Sequence, residues 1–226
     1  MCRILGIRNF SYHAHRALTE GFLELAEKGK VAEGDPPGHL DGWGIGYYRN
    51  GMPRVIKSGK PATGEATRIN RLLKHAEHSP FFTFHLYKSA WNRRNTAKNA
   101  HPFKKGKYML VHNGVIRDYR GLLRGIKAPG GILDTEALLY YLADSCSNGI
   151  SFISAMNPVR NYYDYTSLNC IFFDGKKMHV LRQCRGNRGY YTLFRSDTGR
   201  SAVICSERIH GAGKWKPIDK GRCYAL

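Results

Sequence analysis

Apolar residues recur along this chain in two periods. Cys2 to Arg8 alternates and reads as a strand, and from about Ala14 to Lys30 the residues Leu18, Phe22, Leu25 and Ala26 fall at helical spacing. Gly34 to Gly38, with Pro36-Pro37, reads as a loop. Gly42 to Arg49 reads as a strand, Asn50-Gly51 as a hairpin turn, and Pro53 to Lys57 as the returning strand. Gly64 to His75 suits a helix carrying Ile69, Leu72 and Leu73. Phe81 to Tyr87 and Tyr108 to Val115 are strand-like, and the polar, basic stretch from Lys88 to Lys107 between them reads as a functional loop. Asp134 to Ala143 is the clearest helix, with Asp134 as its cap and Ala137, Leu138, Tyr141 and Leu142 on one face. A second helix follows from Gly149 to Met156. The last third is hairpin-rich: Leu168 to Phe173, a turn at Asp174-Gly175, then Lys177 to Gln183. Tyr190 to Phe194, Ala202 to Ser206 and Arg222 to Ala225 add further strands.

Strands at both ends with helices between them predict an α+β chain built as two stacked sheets covered by helices. The 226 residues suit a single domain spanning 1–226, with no long linker and no internal repeat.

Composition narrows the setting. No run of about 18 apolar residues occurs, so no transmembrane helix is expected. Met-Cys-Arg-Ile-Leu-Gly-Ile-Arg is too short and too broken by arginine for a secretory signal, which places the chain in the cytoplasm. The six cysteines are spread widely and form no C-x-x-C pair, so they read as free thiols and not as a zinc or redox motif. The formal net charge is +19, with a pI of about 9.9. That balance favours polyanionic partners such as nucleic acid, or acidic substrates. The basic residues are scattered, however, with only small knots at Arg93-Arg94, Lys104-Lys105 and Lys214 to Lys220. A solvated basic surface accounts for that better than a nucleic-acid groove does.

The position of Cys2 bears on chemistry. Removal of Met1, normal before a small residue, would leave a thiol and a free α-amine on one residue. An α-amine of pKa ~8 can serve as general base for its own side chain. Four further runs stand out. His112-Asn113-Gly114 ends a predicted strand, and an asparagine amide with the next backbone N–H can hold an oxyanion; a plain Asn-Gly turn is the simpler account of the tripeptide alone. In His39-Leu40-Asp41-Gly42-Trp43-Gly44-Ile45-Gly46 glycines alternate with large side chains, which permits close packing beside a ligand or simply makes room for Trp43. Asp134-Thr135-Glu136 opens a helix, where Asp134 can cap it or bind an ammonium. His101-Pro102-Phe103 shapes a loop.

Taken in order, Met-Cys-Arg-x-Leu-Gly, Asp-Gly-Trp-Gly-Ile-Gly, His-Leu-x-x-Ser-Ala, His-Pro-Phe, Val-His-Asn-Gly-x-Ile and Asp-Thr-Glu closely resemble the class-II glutamine amidotransferases. Leu168-Asn169-Cys170 with Asp174-Gly175, Ser206-Glu207, and Trp215 with Pro217-Ile218 extend the likeness to that family's stand-alone, single-domain members. The resemblance implies the N-terminal-nucleophile hydrolase fold, a four-layer αββα sandwich of two stacked, mainly antiparallel sheets. It implies Cys2 as nucleophile, Asn113 and Gly114 as oxyanion donors, and Asp134 as the site for the α-amino group of glutamine. Gly44 and its neighbour Trp43 would line the pocket floor, and His101 would border the pocket. The implied reaction releases ammonia or an amine from glutamine or a γ-glutamyl amide through a thioester, with no metal or organic cofactor and no membrane. An ammonia-acceptor protein is the partner it suggests.

One departure stands out. The family pattern after the strand-borne histidine is His-x-Arg, and its arginine grips the substrate carboxylate. Here His85-Leu86-Tyr87-Lys88 puts Tyr87 in that place, and on a strand Lys88 would face the other way. Arg93 and Arg94 are the nearby replacements. The alternative from another class is a non-catalytic basic binding module, for an acidic partner or nucleic acid, that kept the fold.

Overall fold

The chain begins in the middle of a sheet. In the computed structural model, which describes residues 2–89 and 96–226, strand β1 (Arg3–Arg8) is paired on both sides. Its partners are β4 (Phe81–Tyr87) and β10 (Ser201–Cys205), both antiparallel. The hairpin β2 (Gly42–Arg49) and β3 (Met52–Ser58) extends the sheet beyond β4. Beyond β10 lie β9 (Phe194–Thr198) and the short β11 (Lys216–Pro217). The first sheet thus has seven strands in the order β11-β9-β10-β1-β4-β2-β3. A second sheet has five, in the order β12-β8-β7-β6-β5, from β5 (Phe103–Lys105), β6 (Tyr108–Asn113), β7 (Asn169–Phe173), β8 (Met178–Leu181) and β12 (Cys223–Ala225).

Strand alternation sends successive side chains to opposite faces, and both faces of the central strands are buried. On β4, Phe82, Phe84 and Leu86 pack against α1 (Tyr12–Lys28) and α2 (Ala66–His75). Phe81 on the same strand joins Ile4, Met109, Val111 and Ile171 between the two sheets. The outer face of the second sheet is covered by α3 (Asp134–Ser147) and α4 (Phe152–Tyr162) through Leu138, Leu142, Phe152 and Phe172. Three apolar layers separate four structural layers, which is the αββα sandwich.

The sheets approach closely where side chains are missing. A Cβ on Gly6 would lie 2.6 Å from Ile171 Cδ1, and one on Gly46 2.4 Å from Met109 Sδ. Asn50 and Gly51 of the β2–β3 turn both have positive φ, at 53° and 72°, as a two-residue hairpin of this hand requires.

Four sequence expectations change. The basic stretch 88–107 contains β5, whose Phe103 pairs with Leu110; Lys104 and Lys105 hide the apolar pattern because this is a sheet edge, where lysines guard against pairing with other chains. The strand expected at Tyr190–Phe194 begins only at Phe194. Asn187 sets a turn first, its Oδ1 accepting from the backbone N–H groups of Gly189 and Tyr190, both at 3.0 Å. The second helix starts at Phe152, capped by Ser151, and runs through Pro158 to Tyr162. Asp134 is not a cap: Leu133 is the extended residue before α3, and Asp134 is its first helical residue. No helix among the described residues is long and apolar enough to cross a membrane.

Candidate active site

The two sheets open at one end, where β1 begins and β4 and β6 finish. The β1–β4 register pairs Arg3 with Leu86, so Cys2 lies beside the end of β4. Its Sγ donates to the carbonyl oxygen of Lys88 at 3.7 Å. A cavity of about 280 Å³ opens there. One wall comes from the first sheet and its loops: Cys2, Tyr87, Lys88, Asn99 and His101. The other comes from the segment after β6, Gly114 to Tyr119, and from the start of α3, Leu133, Asp134 and Thr135.

Burial pushes the Cys2 thiol up from its ordinary range, opposed by the positive charge of Arg3. Such a thiol stays protonated at neutral pH and needs a base to become a nucleophile. Arg3 is itself buried. Its guanidinium pairs with Glu207 Oε2 at 3.1 Å, donates to the carbonyl of Lys30, and lies 4.6 Å from the Tyr190 ring centre. Ile4 and Ser206 lock the same strand, since Ile4 N–H donates to Ser206 Oγ and Ser206 N–H to Ile4 O, both at 3.0 Å. The residue that carries the thiol is therefore followed by a strand anchored on every side.

Asn113 closes β6, and its side-chain amide is buried with neither its nitrogen nor its oxygen partnered. Leaving a buried amide unpaired is costly, so such a group is a candidate to receive a ligand. Gly114 follows it on the cavity wall. No other residue fits there, since a Cβ would lie 2.0 Å from the backbone oxygen of Ser167. Asp134 Oδ2 accepts from the backbone N–H of Ile116 at 2.8 Å. That bond fastens the segment after Gly114 to the first turn of α3.

Behind the cavity three histidines link the sheets. His101 N–H donates to His85 Nδ1 at 3.1 Å, and His112 N–H donates to His101 Nδ1 at 3.3 Å. His112 Nε2 donates to Ser167 O at 2.8 Å, and its Nδ1 accepts from Thr135 Oγ1 at 3.0 Å. Each ring thus carries its proton on Nε2. Burial lowers the pKa of all three, well below the ordinary value for His85 and His101. The His85 and His101 rings stack at 4.3 Å. The neutral ladder holds β4, the Pro102 loop and β6 in fixed relation.

Among the residues that sequence singled out, Cys2, Tyr87, Lys88, His101, Gly114 and Asp134 line the cavity, and Asn113 stands directly before Gly114. Three others lie away from it. Trp43 faces the opposite side of the sheet, fully buried among α1 and α2 residues, with its indole N–H donating to Glu65 Oε2 at 3.1 Å. Gly44 is the bed on which the His101 loop rests: a Cβ there would lie 2.0 Å from His101 O. His85 is buried beneath His101. The ammonium of Lys88 donates to Pro36 O at 2.6 Å and Gly38 O at 3.0 Å. Tyr87 is neutral, its pKa raised by burial, and its hydroxyl bonds with Ser89 and Asn99. Arg93 and Arg94 lie outside the described residues. Asn99, Arg117 and Tyr119 line the cavity without any motif having pointed to them.

The family model of class-II glutamine amidotransferases matches residues 1–188, and the chain belongs to that family. An uncharacterized protein of Methanocaldococcus jannaschii is 26% identical over 195 residues, covering 80% of this chain and 53% of that protein. The protein YafJ of Escherichia coli is 24% identical over 227 residues, covering 96% of this chain and 78% of YafJ. Among solved structures, the glutamine phosphoribosylpyrophosphate amidotransferase of B. subtilis superposes with a TM-score of 0.68 at 16% identity, over 99% of this chain and 47% of that one. The glutamine aminotransferase class-II domain protein of Silicibacter pomeroyi gives 0.61 at 15% identity, covering 99% of this chain and 94% of that one. The chain therefore spans about half the length of the M. jannaschii relative and of the B. subtilis enzyme. At these identities the structural likeness speaks for the fold.

Proposed function

We propose that this chain hydrolyses the side-chain amide of glutamine or a γ-glutamyl compound through a thioester on Cys2, once Met1 has been removed. One observation carries the reading: Cys2, Gly114 and Asp134 surround one cavity, with the unpartnered amide of Asn113 directly before Gly114. The high-pKa thiol calls for a base, and the freed α-amine of Cys2 is bound to the same residue. It takes the thiol proton as sulfur attacks the amide carbonyl. The tetrahedral oxyanion accepts hydrogen bonds from the Asn113 amide and the Gly114 N–H. Collapse breaks the C–N bond, and the ammonium returns its proton to the departing ammonia or amine. Water, deprotonated by the same amine, then releases the acid from sulfur. Asp134, already bound to Ile116, has a second carboxylate oxygen with which to meet a substrate ammonium. In this reading the chain works in the cytoplasm, either as a simple hydrolase or delivering ammonia to an acceptor protein.

The test is ammonia and glutamate release from L-glutamine and γ-glutamyl amides by wild type and Cys2→Ala, with intact mass measured on each preparation. Activity confined to wild-type protein that lacks Met1 is expected. Equal release by Cys2→Ala, or full activity in protein that retains Met1, would sink the mechanism.

A further inference from the structure

The cavity has to recognise more than an amide. If the substrate is an α-amino acid, as the preceding reading holds, it brings an ammonium and a carboxylate on one carbon. The residues that read those charges must then be close neighbours. The acidic half is at hand in Asp134. Among the described residues the basic half has no candidate on the wall of the first sheet: Tyr87 is neutral, and the Lys88 ammonium is committed to two backbone carbonyls. His101 is held neutral by its burial.

One other cation lines the cavity among the described residues, and it is Arg117 on the opposite wall. It follows Ile116, whose N–H is bound to Asp134, so the acid and the base are joined through a single residue. The backbone is tied down at this point. Arg117 N–H donates to Asp164 O at 2.8 Å, and Asp118 adopts a left-handed backbone at φ 52°. Asp164 Oδ2 accepts from Arg117 Nη1 at 2.6 Å, which orients the guanidinium. Both members of that pair are more than half exposed, at 56% and 52%, so solvent screens it and it competes weakly with a ligand. The Nε and Nη2 edge makes no hydrogen bond to a described residue, and an arginine edge suits a carboxylate.

We propose that Arg117 is the specificity-determining cation of this cavity, reading the carboxylate of an α-amino-acid substrate whose ammonium meets Asp134, in place of the arginine that Tyr87 replaces. The carboxylate clamp has moved from the end of β4 to the loop after β6. This rests on the α-amino-acid reading above, but not on Cys2 chemistry.

Binding separates the two. Calorimetry on the Cys2→Ala protein, which cannot turn substrate over through sulfur, would use L-glutamine, γ-L-glutamyl-methylamide and 4-aminobutanamide, which lacks the carboxylate. Adding Arg117→Gln should weaken the two carboxylate ligands by roughly tenfold or more, the size of a lost charge-assisted bond. 4-Aminobutanamide should change less than about twofold. Arg117→Lys should fall between, and adding Tyr87→Arg to Arg117→Gln should restore affinity. Unchanged glutamine binding in Arg117→Gln overturns the proposal. So does equal loss of all three ligands, absence of binding by the parent protein, or transfer of the effect to Arg93→Gln or Arg94→Gln. Wild-type ammonia release compared with Cys2→Ala is scored separately, so a failed nucleophile and a failed clamp give different results.

Discussion

Asp134 and Ile116 are joined side chain to backbone, with the carboxylate Oδ2 accepting from the Ile116 N–H at 2.8 Å. Asp134 therefore has two duties, to shape the loop that carries Arg117 and to present negative charge to the cavity. The amide of asparagine keeps the first and loses the second. Asp134→Asn is expected to raise KM for glutamine by roughly 10- to 100-fold, as a charged hydrogen bond is lost, with Tm nearly unchanged. Asp134→Ala should raise KM and lower Tm together. Steady-state kinetics with calorimetric melting distinguishes them, and a large Tm loss in Asp134→Asn would show the charge to be structural.

Asn113 offers the opposite test, since its amide has no hydrogen-bond partner to lose. Asn113→Ala should leave Tm and KM close to wild type and lower kcat by roughly 100- to 1000-fold, the range for one oxyanion donor. A kcat within threefold of wild type would remove Asn113 from the mechanism.

Gly44 predicts a purely steric effect. A Cβ would meet the backbone oxygen of His101 at 2.0 Å, and backbone cannot rotate aside as a side chain can. Gly44→Ala should destabilise by about 3 kcal/mol, at the upper end for overpacking. The readout is the urea midpoint at unchanged m-value. Activity should fall as well, because the displaced loop carries His101. A midpoint equal to wild type would mean that the sheets are not held this close.

Acid should unfold the protein through its buried histidines. His39 is fully buried, with Nδ1 on Leu25 O at 3.2 Å and Nε2 unpartnered. Burial, and then the charge of Arg3, lower its pKa to about 3. The unfolded chain, with His near 6.5, binds that proton first. Stability is thus fully present above about pH 6.5 and declines as pH falls toward 3, with roughly 2 kcal/mol lost at pH 5 from this residue. His85, His101 and His112 act in the same direction. Urea unfolding from pH 8 to pH 5 should show the decline, and His39→Gln should make it shallower. A flat profile would mean that His39 titrates normally in the fold.

Local pattern was enough for much of the scaffold. Strands 42–49 and 81–87 were legible because their apolar residues are bounded by clear breaks, and Asn50-Gly51 marks its turn by conformational preference alone. The edge strand at Phe103 was hidden because its outward residues are lysines. Tyr190 to Leu193 looked like a strand because aromatic propensity says nothing of the turn that Asn187 imposes. Within the site, Cys2, Asn113, Gly114 and Asp134 could be picked out because each belongs to an ordered motif. Trp43 could not be excluded the same way. Alternation tells which residues share a face of β2, but not which face meets the helices.

By itself, the sequence determined two stacked sheets covered by helices and, through its ordered motifs, the family. The first follows from the local periodicity of apolar residues, the second from the order of short motifs along the chain. Only the tertiary structure decided which side chains meet. Antiparallel pairing of β1 with β4 sets Cys2 beside Lys88 O, and the bond from Ile116 to Asp134 carries Arg117 to the cavity wall across from Tyr87. Two residues facing each other across a pocket leave no local pattern. They can be read only where residues distant in the chain close around one space.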